Sequence, residues 1–290
     1  MTMGRRSPFF VLCVALAVAT GLFGAPLGLS LPARWALAAV LMGVILVAAW
    51  KAGLVLIRTR FDADGKALAA AALLIAPVAL FSLMPGFGPP EFSDHAHNVF
   101  RYVVLLVDAV AIFSGAMILQ EVLQASGEAL YGRLGFSLVA AATPLYLVWA
   151  AMLLEAHHAA LAGSPWASGP WTTWLMSFSD VLLFFGGLLT YAATALFALS
   201  LRRVRLIGAG ASVGFVVISL VLALCLIVRG LDFPDPAVVF AQGYTIPGWI
   251  AGIPAVPWFM PCILGLILLR GIGREPQLSP SATGAVMVER

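Results

Sequence analysis

A chain of 290 residues that is 62% hydrophobic and only 10% charged has too little polar surface to fold as a soluble domain in water. Its 16 Lys and Arg against 13 Asp and Glu leave a net charge of +3, which gives no reason to expect a nucleic-acid partner. Cys13, Cys225 and Cys262 lie in apolar runs without metal-site or CxxC spacing, so they read as small core residues. What remains is a lipid bilayer as solvent, and an all-α polytopic integral membrane protein.

The chain opens on MTMGRRSP and an apolar run over Phe9–Leu31. This has the charged start of a signal peptide, but seven further apolar segments follow and Gly24-Ala25-Pro26 is a poor cleavage site, so a retained first helix is expected. Segments able to span fall at 8–30, 33–57, 67–86, 98–123, 133–156, 171–200, 206–229 and 250–271, each near the roughly 20 residues that a bilayer core requires. They predict eight transmembrane helices in one domain over 1–274, with a disordered cytoplasmic tail at 275–290. Pro247, Pro254, Pro257 and Pro261 interrupt the last segment, and an interior proline removes a helix hydrogen bond. Seven spans plus a re-entrant segment near 247–257 is therefore the alternative.

Basic residues set the orientation. With the N-terminus cytoplasmic, one side receives Arg5, Arg6, Lys51, Arg58, Arg60, Lys66, Arg133, Arg202, Arg203, Arg205, Arg270, Arg274 and Arg290. The other side receives only Arg34, Arg101 and Arg229. This asymmetry predicts a bacterial-type inner membrane protein with both termini cytoplasmic.

The outer loops, 87–97, 157–170 and 230–249, carry most of the chemistry. They hold Pro, Gly, Trp and acids, and all four histidines fall at this level. His95 and His97 begin one span and Glu155, His157 and His158 end the next, so the topology brings them to one membrane face. With Glu91 and Asp94 nearby, they are candidate N/O ligands for zinc, copper or iron. The competing reading is interfacial histidines that cap helix ends and meet water.

From the same mouth, His97, Arg101 and Asp108 fall within one narrow helix face. Asp108 lies roughly 16 Å deeper than His97, where a carboxylate costs at least about 2.5 kcal/mol and must face protein or trapped water. Asp180, about nine residues into its span, and Tyr146 are expected to complete a polar layer near the bilayer middle, with Arg101 able to pair with either acid. Asp108, Asp180, Arg101 and Tyr146 are the candidate catalytic or proton-handling residues; the competing reading is a structural Arg–Asp pair and an interhelical hydrogen bond. Trp166, Trp171 and Trp174 read as an aromatic belt. Gly186-Gly187 and Gly208, Gly210 and Gly214 read as close-packing devices. No phosphate-cradling loop, nucleophile elbow or HExxH is present.

Ser93-x3-His97-x10-Asp108 is similar in spacing to the zinc site of the alkaline-ceramidase-like membrane hydrolases. That superfamily also takes two histidines from an HxxxH in its last helix, and residues 159–290 here contain no histidine. The stretch 165–192, PWASGPWTTWLMSFSDVLLFFGGLLTYA, resembles the eight-helix membrane anchor subunits of polysulfide and DMSO reductases (the NrfD/DmsC type), as do length and helix count. It departs from that pattern in its first segment, Phe9–Leu31, which is not Gly-rich. The resemblance implies quinone binding near the outer face and electron transfer to a peripheral redox subunit there. A transporter or channel with a buried Arg/Asp site, and a metal-dependent membrane enzyme using the outer histidines, are the alternatives.

Overall fold

The computed structural model describes residues 12, 15, 31–58, 63–81, 95–164, 171–231, 251–252 and 255–272. The predicted span at 8–30, Glu91, Asp94, Trp166, most of the 230–249 loop, Pro247, Pro254 and the tail at 275–290 lie outside the described residues. Among those residues the fold is all helical, with no strand. The α-helices are α1 (Leu31–Ala52), α2 (Ala63–Phe81), α3 (His95–Ala125), α4 (Leu130–Leu161), α5 (Trp171–Arg203), α6 (Ala209–Arg229) and α7 (Ala255–Ile272), with a 3₁₀ turn at Leu54–Arg58 after α1. Five helices, α1 and α3 to α6, are long and apolar enough to cross a membrane, and α2 and α7 carry shorter apolar stretches. Their outward faces are rows of exposed Val, Leu and Ile, such as Val213, Val217, Val221 and Leu224 on α6, as a surface against lipid requires.

Neighbours in sequence are neighbours in space from α2 through α6, and α7 packs against α2 and α5 to close the bundle. The proline-rich last segment thus supplies the most enclosed helix: Trp258, Phe259, Met260, Cys262, Leu264, Leu266, Leu268 and Leu269 are all buried. A helix that is apolar all round belongs in the interior. Its backbone reaches α2 at Gly265, where a Cβ would stand 2.9 Å from the Ala71 carbonyl oxygen. Gly186 and Gly187 work as expected. A Cβ on the first would meet the Tyr146 ring at 3.1 Å, and on the second the Leu226 side chain at 3.1 Å. Gly208, Gly210 and Gly214 do not: a Cβ on any of them would meet nothing within 4 Å, so the expected packing role is not filled by the described residues.

Helix ends are set by the left-handed cap motif, in which the residue past the last turn takes a positive φ and returns its N–H to the helix carbonyls. Gly127 (φ 87) ends α3, with the Gly127 N–H on Gln124 and the Glu128 N–H on Leu123. Gly163 (φ 67) ends α4 in the same way. At the end of α5 the position is taken by Arg205 (φ 60), with the Arg205 N–H on Arg202 and the Leu206 N–H on Leu201. A side chain there is strained by about 1 kcal/mol relative to glycine. We expect Arg205→Gly to raise unfolding stability in neutral detergent by about 1 kcal/mol; a drop in the thermal midpoint would disprove the cap assignment.

The helices differ in length, and that difference creates the interior site. With 33 residues α5 extends about 50 Å, whereas α6, with 21, extends about 31 Å. Leu226, in the last turn of α6, lies against Gly187 in the middle of α5, and Gly230 (φ 73) ends α6 there. Arg229 therefore terminates inside the bundle instead of at its rim.

Candidate functional site

Asp108 and Asp180 both point inward, with relative exposures of 0% and 4%. Their surroundings differ. The Arg229 guanidinium donates from Nη2 to Asp180 Oδ1 at 2.8 Å, both side chains being nearly sealed from solvent, and its Nε donates to the Gly230 carbonyl at 3.2 Å. Arg229 thus caps the end of α6 and neutralises the α5 acid. The guanidinium lies so close to Gly252 that a Cβ there would stand 2.7 Å from Nη1. Just before it, the Ala251 carbonyl accepts the Tyr191 hydroxyl at 2.7 Å. The sequence puts Arg229 at the outer end of the 206–229 span and does not indicate this pair.

Asp108 has no such partner. Neither carboxyl oxygen is hydrogen-bonded among the described residues, and Arg101 forms no ion pair with it, contrary to the expected pairing. It lies about 20 Å along α3 from His95 and shares a face with Gly115, whose missing Cβ admits Leu73 and Leu74 of α2. A buried carboxyl group without a hydrogen bond opposes folding by about 1–3 kcal/mol or more, so its retention calls for a functional reason.

Tyr146, the other expected member of the layer, is engaged. The Thr190 hydroxyl donates to the Gly186 carbonyl at 2.8 Å, which leaves its oxygen to accept the Tyr146 hydroxyl at 3.1 Å. The ring of Tyr146 also meets Trp258 edge-on. These contacts join α4, α5 and α7.

Where α3 begins and α4 ends, the histidine that meets His157 is His95, not the expected His97. The His95 Nδ1 lies 2.9 Å from the Nδ1 of buried His157, so one ring donates and the other accepts. His157 stacks on Tyr102 with 5.6 Å between ring centres, and Tyr102 meets Trp149 edge-on. His157 and His158 fall inside α4, which runs on to Leu161. His158 is turned outward, 3.9 Å from Glu155 and with both side chains exposed; His97 is part-buried in the first turn of α3. A metal at this face would find two facing nitrogen donors in His95 and His157. No group of three or more His, Cys, Asp or Glu side chains suited to a metal forms among the described residues. Trp171 and Trp174, both exposed at the start of α5, fit the aromatic belt.

At the opposite end, where Lys66 pairs with Glu121 at 3.2 Å, sits a second polar knot absent from the sequence expectations. Glu128 is 6% exposed and accepts the Tyr131 and Gly132 N–H groups at 3.1 and 3.0 Å, so it caps α4. It also accepts the Ser200 hydroxyl of α5, and Arg203 lies 3.9 Å away. Burial alone would raise the Glu128 pKa, but the Ser200 hydroxyl, the two backbone N–H groups and Arg203 together hold it below the usual carboxylate value. A depressed folded-state pKa gives stability that is present above the unfolded value and lost as pH falls through the folded one. The difference in thermal midpoint between wild type and Glu128→Gln should therefore be full near neutrality. It should shrink once pH drops below about 4.3. A difference that grows on acidification would contradict the cap.

The fold and these sites define a class: a multi-pass helical membrane protein in which, among the described residues, Asp108 is buried without a hydrogen bond and Asp180 is paired with Arg229. No protein-family model matches the chain, and no curated protein or solved structure is found to be similar to it.

Proposed function

We propose that the chain is an eight-span inner-membrane protein, both termini cytoplasmic, that acts as the quinone-reactive anchor subunit of a redox complex. Oxidation of quinol to quinone releases two protons and two electrons; Asp108 takes the protons one after the other, and the cluster of Tyr102, His95 and His157 passes each to water at the outer face. The electrons leave to an acceptor centre in a peripheral partner subunit on that face. The observation that carries this reading is Asp108 itself: of the three interior candidates, Asp180 is bound to Arg229 and Tyr146 to Thr190, while Asp108 has no hydrogen-bond partner among the described residues. Arg101 lies between Asp108 and His97 on one face of α3.

A second reading, a transporter, draws on a different observation. The end of α6 and the Ala251–Gly252 segment meet at the Arg229–Asp180 pair inside the bundle, and helix ends that lie within a bundle form substrate sites in secondary transporters. Purification in mild detergent decides between them. Bound quinone and a co-purifying iron–sulfur subunit are expected. Solute uptake by the isolated chain in liposomes, without quinone, would replace the redox reading by the transporter.

A further inference from the structure

At the basic end, the turn between α3 and α4 and the end of α5 enclose an open pocket of about 300 Å³, lined by Ser126, Gly127, Glu128, Ala129, Leu130, Arg203 and Val204. Its one fixed cation, Arg203, is held in place from three sides. The guanidinium stacks 4.2 Å above the Tyr131 ring, Nη2 reaches the Tyr131 hydroxyl at 3.4 Å, and Nη1 stands 3.9 Å from Glu128. Even so, the Arg203 side chain is 55% exposed, so donor positions remain open to a ligand. The Glu128 carboxylate is already committed to Ser200 and two backbone N–H groups, which limits its repulsion of an anion.

Two features indicate what the pocket takes. Among the described residues, Gly127 and Gly163 take the left-handed cap position after α3 and α4, whereas α5 places Arg205 there, at φ 60, two residues from Arg203. A cation kept in a conformation that favours glycine is strain with a purpose. From the pocket lining, Leu130 and Leu134 form an exposed apolar ridge along α4, at 60% and 47% exposure, leading from the basic end toward the bilayer.

We propose that this pocket seats an anionic phospholipid, with the phosphate on Arg203 at its wall, the charge of Arg205 two residues on reinforcing it from beside the pocket, and an acyl chain along Leu130 and Leu134. Cation and apolar ridge together match an amphiphile; a free phosphate would use only the first.

The test uses the full chain in neutral detergent, titrated with phosphatidylglycerol or phosphatidylcholine and read by native mass spectrometry. Preferential retention of phosphatidylglycerol is expected, with about fivefold weaker binding in Arg205→Gly and in Arg203→Gln. Arg205→Gly separates ligand binding from folding, because glycine suits the cap. Equal retention of the two lipids, or unchanged phosphatidylglycerol binding in both variants, would overturn the proposal. Displacement of the lipid by millimolar inorganic phosphate would do so too, by identifying a soluble ligand.

Discussion

Arg229→Ala should be the most damaging single change in the described bundle. It removes the cap of α6 and leaves Asp180 as a buried charge without its cation, a loss of about 3–5 kcal/mol when one partner of a sealed pair is deleted. The folded protein should fail to accumulate, or unfold at a much lower temperature in detergent. Replacing both partners by apolar residues, Asp180→Leu with Arg229→Met, should recover most of the loss, because no uncompensated charge remains. If the double variant is as unstable as Arg229→Ala, the damage lies in packing against Gly252 and not in the charge.

Asp108 should behave in the opposite way. Its carboxyl oxygens have no hydrogen bond to lose among the described residues, so Asp108→Leu, close in shape and apolar, should stabilise the bundle by about 1–3 kcal/mol while abolishing activity. Stability gained as function is lost is what a site maintained against the interests of folding produces. Destabilisation of Asp108→Leu by a similar amount would mean that the acid is structural.

The contrast between the two acids was only half legible in the sequence. Depth along a helix follows from residue count, so the inward direction of Asp108 and Asp180 could be read from the cost of exposing either to lipid. Which acid has a cation could not, because it depends on where α6 stops relative to α5. The signal available was charge placement: Arg229 is one of three basic residues on the side that otherwise has none, and an arginine that breaks the asymmetry needs a local reason. The convergence of histidines followed from antiparallel helices, but His95 in place of His97 depends on α3 starting three residues before the predicted span. The enclosed position of α7 ran against its prolines. Pro257 falls in the first turn, where a missing N–H is tolerated, and only Pro261 interrupts the helix. Glu128 was missed because a charged residue in the short turn between two helices reads as solvated until the Ser200 and Arg203 side chains close over it.

The central claim is that Asp108 carries the proton, and quinol-dependent proton release at the outer face of sealed membrane vesicles measures it directly. In Asp108→Asn, which keeps the shape but cannot cycle a proton, release should slow by at least about 100-fold with the amount of folded protein unchanged, and Asp108→Glu should restore part of it. Proton release at the wild-type rate from vesicles containing folded Asp108→Asn would contradict the claim.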